Sequence, residues 1–310
     1  MRYRPLGNTG MAVSAVSLVL GDMAARPRPQ DWIPSVYTAL ENGINAFEVA
    51  GHAPALVEGF AEAIGAVDRN LVFVGWRLGW TLTTGGPKRD FSAEGLANAI
   101  ESGVARTGLG YLDAVILDEP QSDELSPQAL DTLKRLRDMG RVRMIGVLGA
   151  DEATDAYISS GAFDLLATSF SLLSGWKERL RLKAAIDRDM AVIGYGYRPD
   201  DLSARIAQAT PDKPKLWGRS GHAHPLAGIG AYGFLSETPK WSPDEICLGY
   251  ALTEPSLCTV QIVGERLDLI ESLAHVADRE LPPNVPAQIE MARFSPTSAA
   301  ATAPDVARRA

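Results

Sequence analysis

The feature that most constrains this chain is the alternation of short apolar runs with amphipathic stretches along nearly its whole length. Strand candidates fall at Val13–Leu20, Ile44–Ala50, Leu71–Trp76, Ala114–Leu117, Val142–Leu148, Phe163–Thr168, Met190–Tyr195 and Thr259–Val263. Several are continuously apolar, the pattern of strands buried on both faces. Between them, Leu56, Phe60 and Ile64 recur at helical spacing, as do Leu96, Ile100 and Val104, which marks helices with one apolar stripe. Ser126-Pro127 and Ser242-Pro243 are helix starts, and Gly140 after Met139 is a helix stop. Strand signals mostly about 25–35 residues apart, separated by helices, predict a single parallel (β/α)8 barrel. A doubly wound open sheet is the alternative, but no Gly-x-Gly-x-x-Gly follows the first strand.

The barrel is expected to occupy residues 1–294, with 295–310, rich in Ala, Pro and Ser, as a mobile tail. Residues 198–240 break the repeat: Lys213, Lys215, Arg219, His222 and His224 sit in a Pro- and Gly-bearing stretch without periodicity, a candidate lid. His222 and His224 read as solvent-facing loop residues, and no metal is expected. A net charge of −8 argues against nucleic acid or an anionic membrane as partner. No apolar run approaches the ~18–20 residues of a membrane span, and the opening MRYRPLGNTG has no apolar stretch of a secretory signal. The two cysteines, Cys247 and Cys258, lie in apolar contexts and read as core residues of a cytoplasmic protein.

The order of segments carries more information than any one of them. YRPLGNTGMAVSAVSLVLGD, GINAFEVA, NLVFVGWRLG, YLDAVILDEP, GRVRMIGVLG, FDLLATSFSLL, MAVIGYGY and SPDEICLGYALTEP followed by TVQIVGERLDLIESL together resemble the aldo-keto reductases. That resemblance implies the same barrel, entered through an N-terminal β-hairpin. It also implies reduction of carbonyls with NADPH by an Asp, Tyr, Lys and His at the ends of the second to fourth strands. The matching positions hold Glu48, Ala53 (with His52 beside it), Arg77 and Asp118, followed by Glu119. Ala53 cannot donate a proton, and Arg is locked in its charged form. The positions that hold the nicotinamide carboxamide match Leu148, Gly149 and Ala167, while Tyr195 matches the ring-stacking aromatic and Arg266 a phosphate-binding turn.

These substitutions lead to the expectation that ordinary NADPH-dependent reduction is lost and that no cofactor is needed. The strand ends would instead run non-redox acid–base chemistry on a small polar molecule. Glu48 or His52 would be the base, Asp118 or Glu119 the acid, Arg77 the anchor or oxyanion stabiliser, and Trp76 and Trp80 would contact substrate. The alternatives are a catalytically silent barrel that binds a small-molecule or protein partner, and a divergent reductase taking its acid from Tyr197 or Tyr232. A structural ion-pair set, with Arg77 neutralising Glu48 and Asp118, accounts for the same residues without chemistry.

Overall fold

The computed structural model describes residues 1–23, 25–83, 85–208, 232–264 and 266–293. The loop residues Lys213, Lys215, Arg219, His222 and His224, and the proposed tail from 295, lie outside the described residues. A hairpin of β1 (Tyr3–Pro5) and β2 (Ala12–Ser14) precedes β3 (Val16–Leu20), α1 (Ile33–Glu41), β4 (Ala46–Val49), α2 (Pro54–Ile64) and β5 (Phe73–Leu78). A second hairpin, β6 (Trp80–Thr83) and β7 (Gly86–Arg89), leads into α3 (Ala93–Thr107), β8 (Leu112–Asp118), α4 (Pro127–Asp138) and β9 (Val142–Leu148). Then come α5 (Glu152–Ser160), β10 (Leu165–Ser169), α6 (Trp176–Ile186), β11 (Ala191–Tyr195), α7 (Leu202–Gln208) and α8 (Phe234–Glu237). The chain continues through α9 (Pro243–Ala251), β12 (Thr259–Val263), α10 (Leu267–Val276) and α11 (Asn284–Arg293).

Eight of these strands close into a parallel barrel in the order β10-β11-β12-β3-β4-β5-β8-β9. The predicted (β/α)8 fold is therefore the observed one, and the runner-up open sheet is excluded. The apolar run at Val13–Leu20 is two strands: it crosses from the hairpin strand β2 to the barrel strand β3 at Ala15. Ser126 and Ser242 cap α4 and α9, accepting from the backbone N–H of Ala129 and Glu245. Both cysteines are buried and free. Among the described residues no helix is long and apolar enough to cross a membrane.

Alternation along each strand sorts the core into two clusters. Phe73, Ala114, Ile116, Met144, Leu165, Ala167 and Ile193 fill the barrel, plugged from below by Leu6 and Val13 of the hairpin. Val74, Trp76, Leu78, Val115 and Leu117 face outward into the helices with Leu96, Ile100 and Leu133. Trp76 lies so close to α3 that a Cβ on Gly103 would come within 3.0 Å of its ring.

At the N-terminal end Asp113, 2% exposed, accepts from Arg69 at 2.6 Å, from Arg143 at 3.2 Å and from the Val74 N–H at 2.8 Å. Both guanidinium groups lie 4.0 Å from the Tyr111 ring. Asp113→Ala strands Arg69 and an amide together, so urea unfolding should lose about 3 kcal/mol; a change within experimental error would show that the cluster holds nothing together.

Candidate active site

The C-terminal ends of the strands gather polar side chains inside an otherwise apolar barrel. Glu48 on β4 points inward and is 3% exposed. Arg77 on β5 donates through Nε to Glu48 Oε1 at 2.6 Å, and a terminal guanidinium nitrogen lies 2.5 Å from the same oxygen. Gln261 on β12, itself buried, donates through Nε2 to Glu48 Oε2. Both carboxylate oxygens are thus occupied, and Glu48 is no longer a free base. Burial opposes the charge on Arg77, but Glu48 and then Asp118 outweigh it and hold the guanidinium pKa above its ordinary value.

Asp118 ends β8 and makes a different contact from the one expected. Its Oδ2 accepts from the Trp80 indole N–H at 2.8 Å. Trp80 is brought there by the β6–β7 hairpin, which interrupts the expected alternation of strand and helix. The hairpin turns off β5 at Gly79, whose φ of 116° and 2.4 Å clearance between a built Cβ and the Phe91 ring admit only glycine. Arg89 of β7 anchors it: its guanidinium lies 5.2 Å from the Trp80 ring, bonds Glu124 at 2.5 and 2.8 Å, and donates to the Glu119 carbonyl at 2.7 Å. Hydrogen bonding to Arg89 holds the Glu124 carboxyl down to about 2.

His52 follows β4 and is partly exposed. Burial lowers its pKa from 6.5, and Asp22 and Asp118 pull upward without overcoming it, so the imidazole is neutral at pH 7. Asp22 fixes the loop: its carboxylate accepts from the backbone N–H groups of His52 and Ala53 at 3.0 and 2.8 Å. It takes over the capping role at the start of α2, where Ala53 has no side chain to offer. Tyr195, at the end of β11, has its phenol pushed up to about 12 by burial and Glu119, against the opposing pull of Arg77. Glu119 itself is exposed, with a left-handed φ of 49°.

Several expected site residues fall elsewhere. Trp76 faces α3, because neighbouring residues of a strand point to opposite faces and Arg77 takes the inward one. Tyr197 and Tyr232 pack into the outer apolar core, so neither is an acid for the mouth. Arg266 lies at the rim, exposed and paired with Asp268, where the first turn of α10 has no side-chain cap. Asp22 and Gln261 were not singled out from sequence. Gln261 was visible as the lone amide side chain within the run TVQIV, whereas Asp22 gave no local sign of a partner about thirty residues away.

The model of the Aldo/keto reductase family matches residues 17–293. An L-galactose dehydrogenase of Arabidopsis thaliana is 28% identical over 159 residues, 48% of this chain and 49% of the relative; the match therefore spans about half of that protein. An aldo-keto reductase of Bacillus halodurans in its holo form superposes with a TM-score of 0.73 at 17% identity, over 94% of this chain and 95% of that one. A glycerol dehydrogenase of Gluconobacter oxydans superposes with a TM-score of 0.68 at 14% identity, covering 93% and 94%.

The family match overturns three expectations: the non-redox acid–base enzyme, the silent binding subunit and the absence of a nicotinamide cofactor. The family is one of NAD(P)-dependent oxidoreductases, and the matched residues include β12 and α10. Leu148, Gly149 and Ala167 carry no polar side chain, but three side chains are only part of a cofactor-binding surface. Glu48 as base fails for a separate, local reason, since Arg77 and Gln261 saturate it.

Arg77→Met leaves a 3%-exposed carboxylate facing only Gln261. The loss should be about 3–5 kcal/mol, read as a lower urea midpoint at unchanged slope. A midpoint that stays put would mean that water already shares the Glu48 charge.

Proposed function

Because the chain belongs to the aldo/keto reductase family, we propose that it is an NAD(P)-dependent oxidoreductase interconverting a polyhydroxy alcohol and its carbonyl, with His52 as the proton-exchanging residue. One observation supports this most: a half-buried imidazole, neutral at pH 7, stands at the end of β4 beside a mouth where the carboxylates of Glu48 and Asp118 are engaged by donors. Bound nicotinamide supplies or takes up hydride at the reacting carbon. Two features of the rim fit that group. Tyr195 offers a ring at the mouth, and the uncapped first turn of α10 with exposed Arg266 suits a phosphate. Asp268 would have to release Arg266 for that contact.

The chain's own residues then divide the work. Neutral His52 accepts the hydroxyl proton in oxidation and returns it to the carbonyl oxygen in reduction. Asp22 holds the imidazole-bearing loop through two backbone N–H groups. Arg77 has more N–H donors than those it spends on Glu48, and with a fifth of its side chain exposed it can stabilise an oxygen that gains negative charge. Trp80 keeps the Asp118 carboxylate turned toward its indole and away from that oxygen. The polyhydroxy substrate class rests on similarity to proteins named L-galactose dehydrogenase and glycerol dehydrogenase. Two buried thiols suit a reducing compartment such as the cytoplasm.

The test is NAD(P)-linked turnover of a panel of sugars and polyols, followed at 340 nm. His52→Gln should lower kcat by about 10²–10⁴-fold while leaving cofactor affinity unchanged. A base works only when deprotonated, so oxidation should fall as pH drops through the His52 pKa. Because burial lowers that pKa, the fall should lie below 6.5; a rate still climbing above pH 8, or full activity in His52→Gln, gives the proton to another group.

A further inference from the structure

A cavity of about 300 Å³ opens beside the mouth, between the β6–β7 hairpin and α3. His52, Trp80 and Thr81 line one side, and Asn98, Ser102 and Arg106 the other. The last three recur at i, i+4 and i+8 and so share one face of α3. Gly95, Ala99 and Gly103 form the adjoining stripe and keep the helix surface low, which leaves the space open. The volume suits a molecule of few heavy atoms.

Among the described residues one anion, Asp90, and one cation, Arg106, line this space, and they differ in what already engages them. The Asp90 Oδ1 accepts from the Ser92 N–H at 3.0 Å and the Ser92 hydroxyl at 2.6 Å. The Trp80 indole N–H is spent on Asp118. Arg106, by contrast, is exposed and makes no hydrogen bond or ion pair among the described residues. Asn98 and Ser102 add neutral donors on the same helix face as Arg106. Such a set, a cation whose donors are uncommitted among the described residues, with amide and hydroxyl donors beside it, matches an oxyanion.

From this we infer that the cavity binds the anionic end of the substrate, a carboxylate or phosphate on a short polyhydroxy chain, with Arg106 as the specificity-determining cation and the reacting hydroxyl directed to His52. The inference rests on the proposed redox reading for its reacting end, but the anion site itself does not.

Calorimetry without nicotinamide separates the two. Glycerate and glycerol 3-phosphate are titrated into the full chain, with glycerol as the uncharged control, and repeated with Arg106→Ala. At least one anion should bind more tightly than glycerol, and the exposed Arg106 substitution should weaken that binding by about tenfold or more without shifting the melting temperature. Preference for glycerate assigns a carboxylate, and preference for glycerol 3-phosphate a phosphate. Neither anion exceeding glycerol, or equal binding by Arg106→Ala, overturns the inference. NAD(P)-linked turnover of uncharged polyols by a chain that binds neither anion more tightly than glycerol would uphold the oxidoreductase while removing the anion site. Arg106-dependent anion binding in a chain with no NAD(P)-linked turnover would do the reverse.

Discussion

A carboxylate placed inside a closed barrel must be met by donors from neighbouring strands, and the mouth of this protein is organised around that need. Glu48 sits at an inward position of β4 with 3% exposure. An unpaired charge there would cost several kcal/mol. Arg77 answers from the adjacent strand β5, and Gln261 reaches across from β12, beyond β3. The three side chains tie opposite sides of the β4 neighbourhood together. They also fix where the remaining Arg77 donors can point, so a structural obligation and a catalytic opportunity fall on the same guanidinium.

Around this pair the other groups are held by backbone contacts and by a small insertion. The His52 loop is pinned from Asp22, on the segment after β3, and Asp118 is turned toward the hairpin by Trp80. Arg89 secures the hairpin to the β8–α4 connection through Glu124 and the Glu119 carbonyl. Loops at the C-terminal end of such barrels are where function is built on a rigid frame. In this chain the frame contributes Glu48, Arg77 and Gln261, while loop and hairpin contribute His52 and Trp80.

What could be read from sequence follows from which forces are periodic. The barrel was legible because strands buried on both faces and helices buried on one leave repeating apolar marks. Strand-end placement of Glu48, Arg77 and Asp118 followed from the family resemblance laid over the same marks. Trp76 was misplaced although the alternation rule was available: as a neighbour of Arg77 on one strand, it cannot share its face. The β6–β7 hairpin was missed because four-residue strands of Trp, Thr and Lys carry little apolar signal, though Gly-Gly-Pro at 85–87 marks a turn. Asp22, His52 and Asp118 come together only in three dimensions, and no spacing along the chain announces them.

Function is less legible than fold for a different physical reason. Four substituted positions do not by themselves remove the chemistry, because a proton donor need not occupy one fixed address. A barrel mouth presents several strand ends within reach of one reacting atom, and proton transfer requires only a group of suitable pKa in contact with the oxygen. His52 lies one residue from Ala53, and burial keeps it neutral near pH 7. Arg77 cannot tune a tyrosine by losing its proton, but a permanent cation is well suited to an oxygen that gains negative charge. On the proposed reading, the exchange of residues moves the acid–base role by one position and gives Arg77 an electrostatic role in place of a proton-relay one.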